Sequence, residues 1–211
     1  MVSTTNILVT LLSLAATISG ALIGRATASV QTPPTGVSIT VISSSWPGCS
    51  PSHPAAVQLL EQGQSLSFQY DGFTAFTDVT ESSSDRSCSV VVNFVYPEGY
   101  TLGVQNPVFQ GNTDVAEGAT AEIRAYSLFS ASDSTVYDID EAEVAGPFTG
   151  NYSLTGSDSS ARTQSSACGS GSTTLKFATR LNALGGIPNP YPANATIQHN
   201  ATTVDLVWTP C

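Results

Sequence analysis

The four cysteines of this 211-residue chain, Cys49, Cys88, Cys168 and Cys211, carry its most definite chemistry. They stand dozens of residues apart, so the short C-x-x-C spacing of a zinc site is missing. In a secreted chain an even count of cysteines reads as a disulfide framework, here two bridges. Four cysteines allow three pairings, and spacing alone does not choose among them. Pairing sequence neighbours would close two loops of similar size, each worth about 4 kcal/mol in the chain-entropy description.

The two histidines offer little to nucleophilic catalysis. His53 lies between prolines in Pro51-Ser52-His53-Pro54, a loop context, and His199 lies between two glycosylation sequons. No G-x-S-x-G elbow is present for either to serve; Gly169-Ser170-Gly171-Ser172 has its glycines misplaced and reads as a surface loop beside a disulfide. A copper site built on an N-terminal histidine would need His at the mature N-terminus, where Ser29 is expected. Glycoside hydrolysis needs two carboxylates at a fixed separation, and sixteen acids supply too many pairs to single one out. The densest group is Asp133, Asp138, Asp140, Glu141 and Glu143. Such oxygen ligands suit calcium, but the spacing is not that of an EF-hand, and the group reads as a solvated hairpin end. No catalytic residue, metal ligand or cofactor is assigned on these patterns.

Trp46 and Trp208 each sit two or three residues from a cysteine. Either could stack on a sugar ring, although a Trp beside a disulfide more often fills core. Tyr100, Tyr126 and Tyr137 carry the same ambiguity. Three sequons, Asn151-Tyr152-Ser153, Asn194-Ala195-Thr196 and Asn200-Ala201-Thr202, mark Asn151, Asn194 and Asn200 as expected glycosylation sites with exposed backbone.

The framework that holds these residues begins after a leader. Ile7 to Ile23 is almost wholly apolar or small, and Ala26-Thr27-Ala28 matches the A-x-A pattern of signal peptidase. Residues 1–28 are therefore expected to be a secretory signal peptide, and residues 29–211 a single domain. A membrane anchor is the rival reading, but the run falls short of the roughly 20 residues a span needs. No second apolar run follows, and the C-terminus lacks the tail of a lipid-anchor signal. With Arg25 removed, five bases face sixteen acids, a net charge of −11. That charge repels nucleic acid and anionic membranes. The expected partner is an extracellular protein or glycan.

Period-2 alternation recurs along the chain. It marks Val37–Val41, Leu66–Tyr70, Cys88–Tyr96, Tyr100–Val104, Val108–Gln110, Ala119–Phe129, Thr135–Ile139, Phe148–Leu154, Thr173–Leu181 and Thr203–Trp208 as strands. Asp71-Gly72 reads as a hairpin turn, with Phe73 to Val79 returning. In Cys88–Tyr96 both faces are apolar, as in a central strand covered on both sides. Glu122 and Arg124 face opposite Ile123 and Ala125. Pro54 to Gln62 suits a short strand slightly better than a helix, and Ser157 to Ser172 reads as a loop. About ten short strands with turn residues between them predict an all-β antiparallel sandwich.

Gly48-Cys49, Asp85-Arg86-Ser87-Cys88, Tyr96-Pro97-Glu98-Gly99-Tyr100, Gly146-Pro147-Phe148-Thr149-Gly150-Asn151-Tyr152, Cys168-Gly169 and Leu206-Val207-Trp208-Thr209-Pro210-Cys211 follow one another in a specific order. In that order they resemble the four-cysteine secreted proteins of filamentous fungi grouped as a domain of unknown function. The likeness covers essentially all of the mature chain; Asn189 to Asn200 looks like a local elaboration. It implies secretion, a β-sandwich and the sequential pairing Cys49–Cys88 and Cys168–Cys211, and it implies no established catalytic residues. The expected function is non-enzymatic binding at the fungal surface or host interface, as in an effector. The alternatives are a carbohydrate-binding module with Trp or Tyr platforms and a hydrolase with an acidic dyad. Coplanar exposed aromatics in a groove would mark the module, and carboxylates facing each other across a cleft would mark the enzyme.

Overall fold

The computed structural model describes residues 32–45, 48–49, 52–78, 81–130, 137–156, 164–169, 171–186 and 193–211. The expected signal peptide, Trp46, Asp133 and half of the Ser157–Ser172 loop lie outside the described residues, as do the side chains of Tyr137 and Asp138. Alternating burial produces eleven strands: β1 (Ser38–Ser45), β2 (Ala56–Leu60), β3 (Ser65–Phe76), β4 (Ser83–Val95), β5 (Tyr100–Val115), β6 (Thr120–Phe129), β7 (Tyr137–Ala145), β8 (Phe148–Thr155), β9 (Gln164–Ser165), β10 (Ser172–Leu184) and β11 (Ala195–Pro210). All pairings are antiparallel. One sheet runs β1-β4-β10-β6-β7; the other runs β2-β3-β11-β5-β8, with β9 also paired to β5.

The first sheet is regular along its three central strands. Val90, Val92 and Phe94 of β4, Leu175, Phe177 and Leu181 of β10, and Ile123, Ala125 and Phe129 of β6 keep one parity and are buried. Each strand buries one face against the second sheet and turns its polar alternates outward. Phe68 of β3 stacks on Phe177 at a centroid distance of 4.1 Å, joining the layers. The outer face corrects one expectation for β4: Val91 is half-buried and Val95 exposed, because among the described residues no third layer covers them.

The second sheet is bulged in each of its three central strands. On β3 the buried positions run Leu66, Phe68, Tyr70 and then Phe73, Ala75. On β5 they run Leu102, Val104 and then Pro107, Phe109, Gly111. On β11 they run Ala195, Ile197, His199 and then Thr202, Val204, Leu206, Trp208. The register slips between His199 and Ala201 against both neighbours, and again between Thr203 and Asp205 against β5. An inserted residue reverses which parity faces the core, which is the physical content of a bulge. Asp71-Gly72 is therefore not the expected hairpin turn. It lies within β3 opposite Asn200, and Gly72 takes φ 71°, a conformation open to glycine. The two expected strands around Val104 and Val108 are likewise one, β5, kinked where Asn106 takes φ 50°.

Both disulfides follow the sequential pairing, Cys49–Cys88 and Cys168–Cys211. The first sits in the core and ties the exit of β1 to β4; the second ties the end of β11 to the segment after β9. Among the described residues no helix is long and apolar enough to cross a membrane.

Candidate functional site

Two places gather side chains capable of chemistry. The first is the outer face of the regular sheet. Register places Ser89, Ala178 and Tyr126 in one row across β4, β10 and β6. The row beside it is Val91, Lys176 and Leu128; the row on the other side is Ser87, Arg180 and Arg124. Ser87, Ser89 and Ala178 are small where Tyr126, Leu128 and Lys176 around them are long, and the difference leaves a trough. Ser87, Ser89, Tyr126, Leu128, Lys176 and Ala178 line a groove of about 250 Å³. The Ser89 hydroxyl is covered and has no hydrogen-bond partner among the described residues, and a turn about χ1 would redirect it.

Charges on this face are sorted. Arg180 bonds Asp85 through Nε, at 2.8 Å, and through Nη2. The hydrogen bond donated to Asp85 leads in raising the guanidinium's pKa. Arg124 lies 3.1 Å from Glu141 and 3.5 Å from Glu122. Lys176 has no ion pair among the described residues and points to solvent at the groove wall. The acids of β7 are thus part of a strand rather than the expected hairpin end. Glu122, Glu141 and Glu143 surround a shallow hollow of about 130 Å³, and Asp140 turns inward to accept a bond from the Glu141 amide at 2.8 Å. Among the described residues no three acids, cysteines or histidines converge on a metal position.

The second place is the interior of the bulged sheet. His199 is fully buried on β11. Its Nδ1 lies 2.9 Å from the Tyr152 hydroxyl on β8, and its Nε2 lies 2.7 Å from Thr202 Oγ1. Thr202 lies 3.3 Å from Thr179 Oγ1 on β10, which lies 2.8 Å from the Tyr70 hydroxyl on β3. The chain of polar groups thus crosses from one sheet to the other. The bulge builds it, because the extra residue lets His199 and Thr202 both point inward. Gly111 makes room on β5: a Cβ there would strike the Gln198 carbonyl and the Tyr152 hydroxyl. Rings of Tyr70, Phe73, Phe109 and Tyr152 surround the imidazole at 5.2–6.3 Å. Desolvation lowers the His199 pKa to about 3 and raises the Tyr70 pKa to about 12; the Tyr152 pKa is raised by the same burial. A neutral imidazole that is fully buried, bonded at both nitrogens and ringed by aromatic side chains serves as structure.

Trp208, for which core filling is the favoured reading over sugar stacking, is 1% exposed. Its indole N–H donates to the Gly63 carbonyl at 2.7 Å, and its ring meets the edge of Tyr96. It is core, not a platform, because bulged β11 turns it inward. Tyr100 and Tyr126 are half-buried, and only Tyr126 lines the groove. Asn151, Asn194 and Asn200 are exposed. Ser52, His53 and Asp71 stand in a row, with Ser52 Oγ 3.1 Å from Nδ1 and Asp71 Oδ2 3.7 Å from Nε2. The last distance is too long for a hydrogen bond, and the row lies open to solvent. Neither the groove nor the His199 network was visible in sequence motifs; the one available signal for the groove was the run of small residues Ser87, Ser89 and Ala178 on expected strands.

A family model described as "Domain of unknown function (DUF4360)" matches residues 35–211. No curated protein matches the chain. Among solved structures, the chain is similar to TmCBM61 in complex with β-1,4-galactotriose, at 12% identity, covering 85% of this chain and 91% of that one, with a TM-score of 0.28. It is also similar to accessory secretory protein 1, 2 and 3 of Streptococcus pneumoniae, at 6% identity, covering 81% and 95%, with a TM-score of 0.18. Neither likeness is close enough to carry a ligand across.

Proposed function

This chain belongs to the DUF4360 family, and on that premise we propose that it is a secreted, non-enzymatic binding protein whose regular sheet holds an extracellular glycan along its outer face. The groove of Ser87, Ser89, Tyr126, Leu128, Lys176 and Ala178 is the observation that carries this reading. A sugar ring has apolar C–H faces and a rim of hydroxyls. The Tyr126 ring and Leu128 suit the first, while the serines and Lys176 suit the second. The sequon asparagines Asn151 and Asn200 are exposed on β8 and β11 of the other sheet, so glycans at those two sites lie away from this face. The alternative acidic dyad fits less well, because Arg124 engages both Glu122 and Glu141, whereas a general acid must hold its proton.

A glycan array tests the proposal, run beside a pull-down from host extracellular fluid with wild type, Tyr126→Ala and Lys176→Ala. Wild type is expected to retain a glycan, and each variant to lose about tenfold in affinity, the effect of about 1.4 kcal/mol. Capture of a protein with no glycan bound, or glycan binding untouched by either substitution, sinks the reading.

A further inference from the structure

The three sequons differ in what folding does to the hydroxyl residue. Ser153 and Thr196 are exposed, like the asparagines they serve. Thr202 is fully buried, although Asn200 is exposed. The bulge in β11 causes the split, since it ejects Asn200 while turning His199 and Thr202 inward. The Thr202 hydroxyl is then held between His199 Nε2, at 2.7 Å, and Thr179 Oγ1, at 3.3 Å. N-glycosylation demands Ser or Thr two residues after the asparagine, so that hydroxyl is part of what the transferase reads. Folding hides it.

We propose that Asn200 is an N-glycosylation site that can be filled only before β11 docks, so that its occupancy is set by a race with folding. This rests on the secretion reading above. In the reaction Asn200 Nδ2 attacks C1 of an oligosaccharide activated on a lipid pyrophosphate. The N–C1 bond forms as the C1–O bond breaks, the amide proton is lost, and the lipid pyrophosphate leaves. Topology opens the window: β11 follows β3 and β5 in sequence by many residues, yet it lies between them. The second sheet waits open until β11 has been made and docks, and Cys211 then bonds Cys168. Once β11 is in place the glycan points away from the core on the same outer face as Asn151. There Asn112 Nδ2 donates to Asn151 Oδ1 at 3.2 Å, which leaves the Asn151 amide nitrogen for a sugar. Filled sites would clad the face opposite the groove.

Site-resolved mass spectrometry of the full chain secreted from a eukaryotic host tests this, with Asn194 as the internal reference. Wild type is expected to show lower occupancy at Asn200 than at Asn194. In the Cys168→Ser/Cys211→Ser variant, whose β11 lacks its staple, Asn200 is expected to rise to the Asn194 level. Protein folded without glycans and then offered to the transferase with its lipid-linked donor is expected to stay bare at Asn200. Equal filling of Asn200 and Asn194 in the wild type, or modification of the folded protein at Asn200, overturns the race. Asn194 filled with Asn200 empty in both proteins overturns the site alone. All three sequons empty overturns the site and the secretion reading together.

Discussion

The two sheets share a core and solve opposite problems. In the regular sheet, β4, β10 and β6 keep their alternation, so their inner face is mostly apolar, with Ser84, Ser127, Thr173 and Thr179 as its buried hydroxyls, and their outer face is shaped by side-chain size. In the bulged sheet, β3, β5 and β11 each change parity midway, and polar side chains are driven inside. The first arrangement leaves a groove outside; the second needs a bonded network within. The comparison teaches where this fold carries its risks. A buried hydroxyl or imidazole without a partner costs about 1–3 kcal/mol, so the bulged sheet depends on every link of the Tyr152–His199–Thr202–Thr179–Tyr70 chain.

Acid should break the bulged sheet first. In the unfolded chain His199 titrates near 6.5; in the folded protein burial holds it near 3. Between those values the unfolded state binds a proton that the folded state does not. Stability contributed by neutral His199 is therefore complete above pH 6.5 and is lost as pH falls towards 3, on the order of 4 kcal/mol in all. Urea denaturation at a series of pH values should show this slope in wild type and a shallower one in His199→Gln. If both lose stability equally between pH 6 and 4, carboxylates elsewhere carry the acid sensitivity and the network does not.

A methyl group should separate the sheets next. Gly111→Ala forces a Cβ against the Gln198 carbonyl and the Tyr152 hydroxyl, at a cost of about 3 kcal/mol. Ala178→Ser, on the open face of the regular sheet, should stay within about 0.5 kcal/mol. Comparable urea midpoints for the two variants would mean that the bulged sheet is no more tightly packed than its partner.

This contrast also explains what could be read from the sequence. Alternation reports facing only while the phase holds, so β4, β6 and β10 were legible from Cys88, Ala119 and Thr173 onward. The all-β class and the count of two bridges were legible too, while the pairing of the bridges rested on family resemblance. An extra residue reverses the phase without any change in composition, and Asp-Gly favours both a tight turn and a glycine bulge. Asp71-Gly72 therefore reads as a turn in the sequence and folds as a bulge, whereas the disulfide beside Trp208 is enough to favour the core for it. His199 belongs to no motif; the network it joins draws Tyr152 from β8, Thr179 from β10 and Tyr70 from β3, which only the fold brings together. The groove was hidden for the same reason, since its depth comes from Ser89, Ala178 and Tyr126 meeting across three strands.

Removing one link of the network should cost less than overpacking it. Thr179→Val keeps the volume on β10 but takes away the hydroxyl that joins the Tyr70 and Thr202 hydroxyls. The expected loss is about 1–2 kcal/mol, because the Tyr70 hydroxyl loses its 2.8 Å partner while buried. A urea midpoint equal to wild type would show that the remaining hydroxyls rearrange and that the bond between the sheets contributes nothing.

The smallest effect on stability, and the largest on binding, is expected at Tyr126. Its side chain is half-buried on the outer face, opposite Ala178, at the groove. Tyr126→Ala should change the urea midpoint by less than about 1 kcal/mol while flattening one wall of the groove. The same substitution therefore reads two properties independently. A regular sheet built to present a surface can lose a surface ring and remain folded, whereas the bulged sheet cannot lose its buried hydroxyls without penalty. A large fall in stability for Tyr126→Ala would show that its contacts with the Arg124 and Arg180 side chains hold the sheet together, and the groove would then be a by-product of packing rather than a surface kept for a ligand.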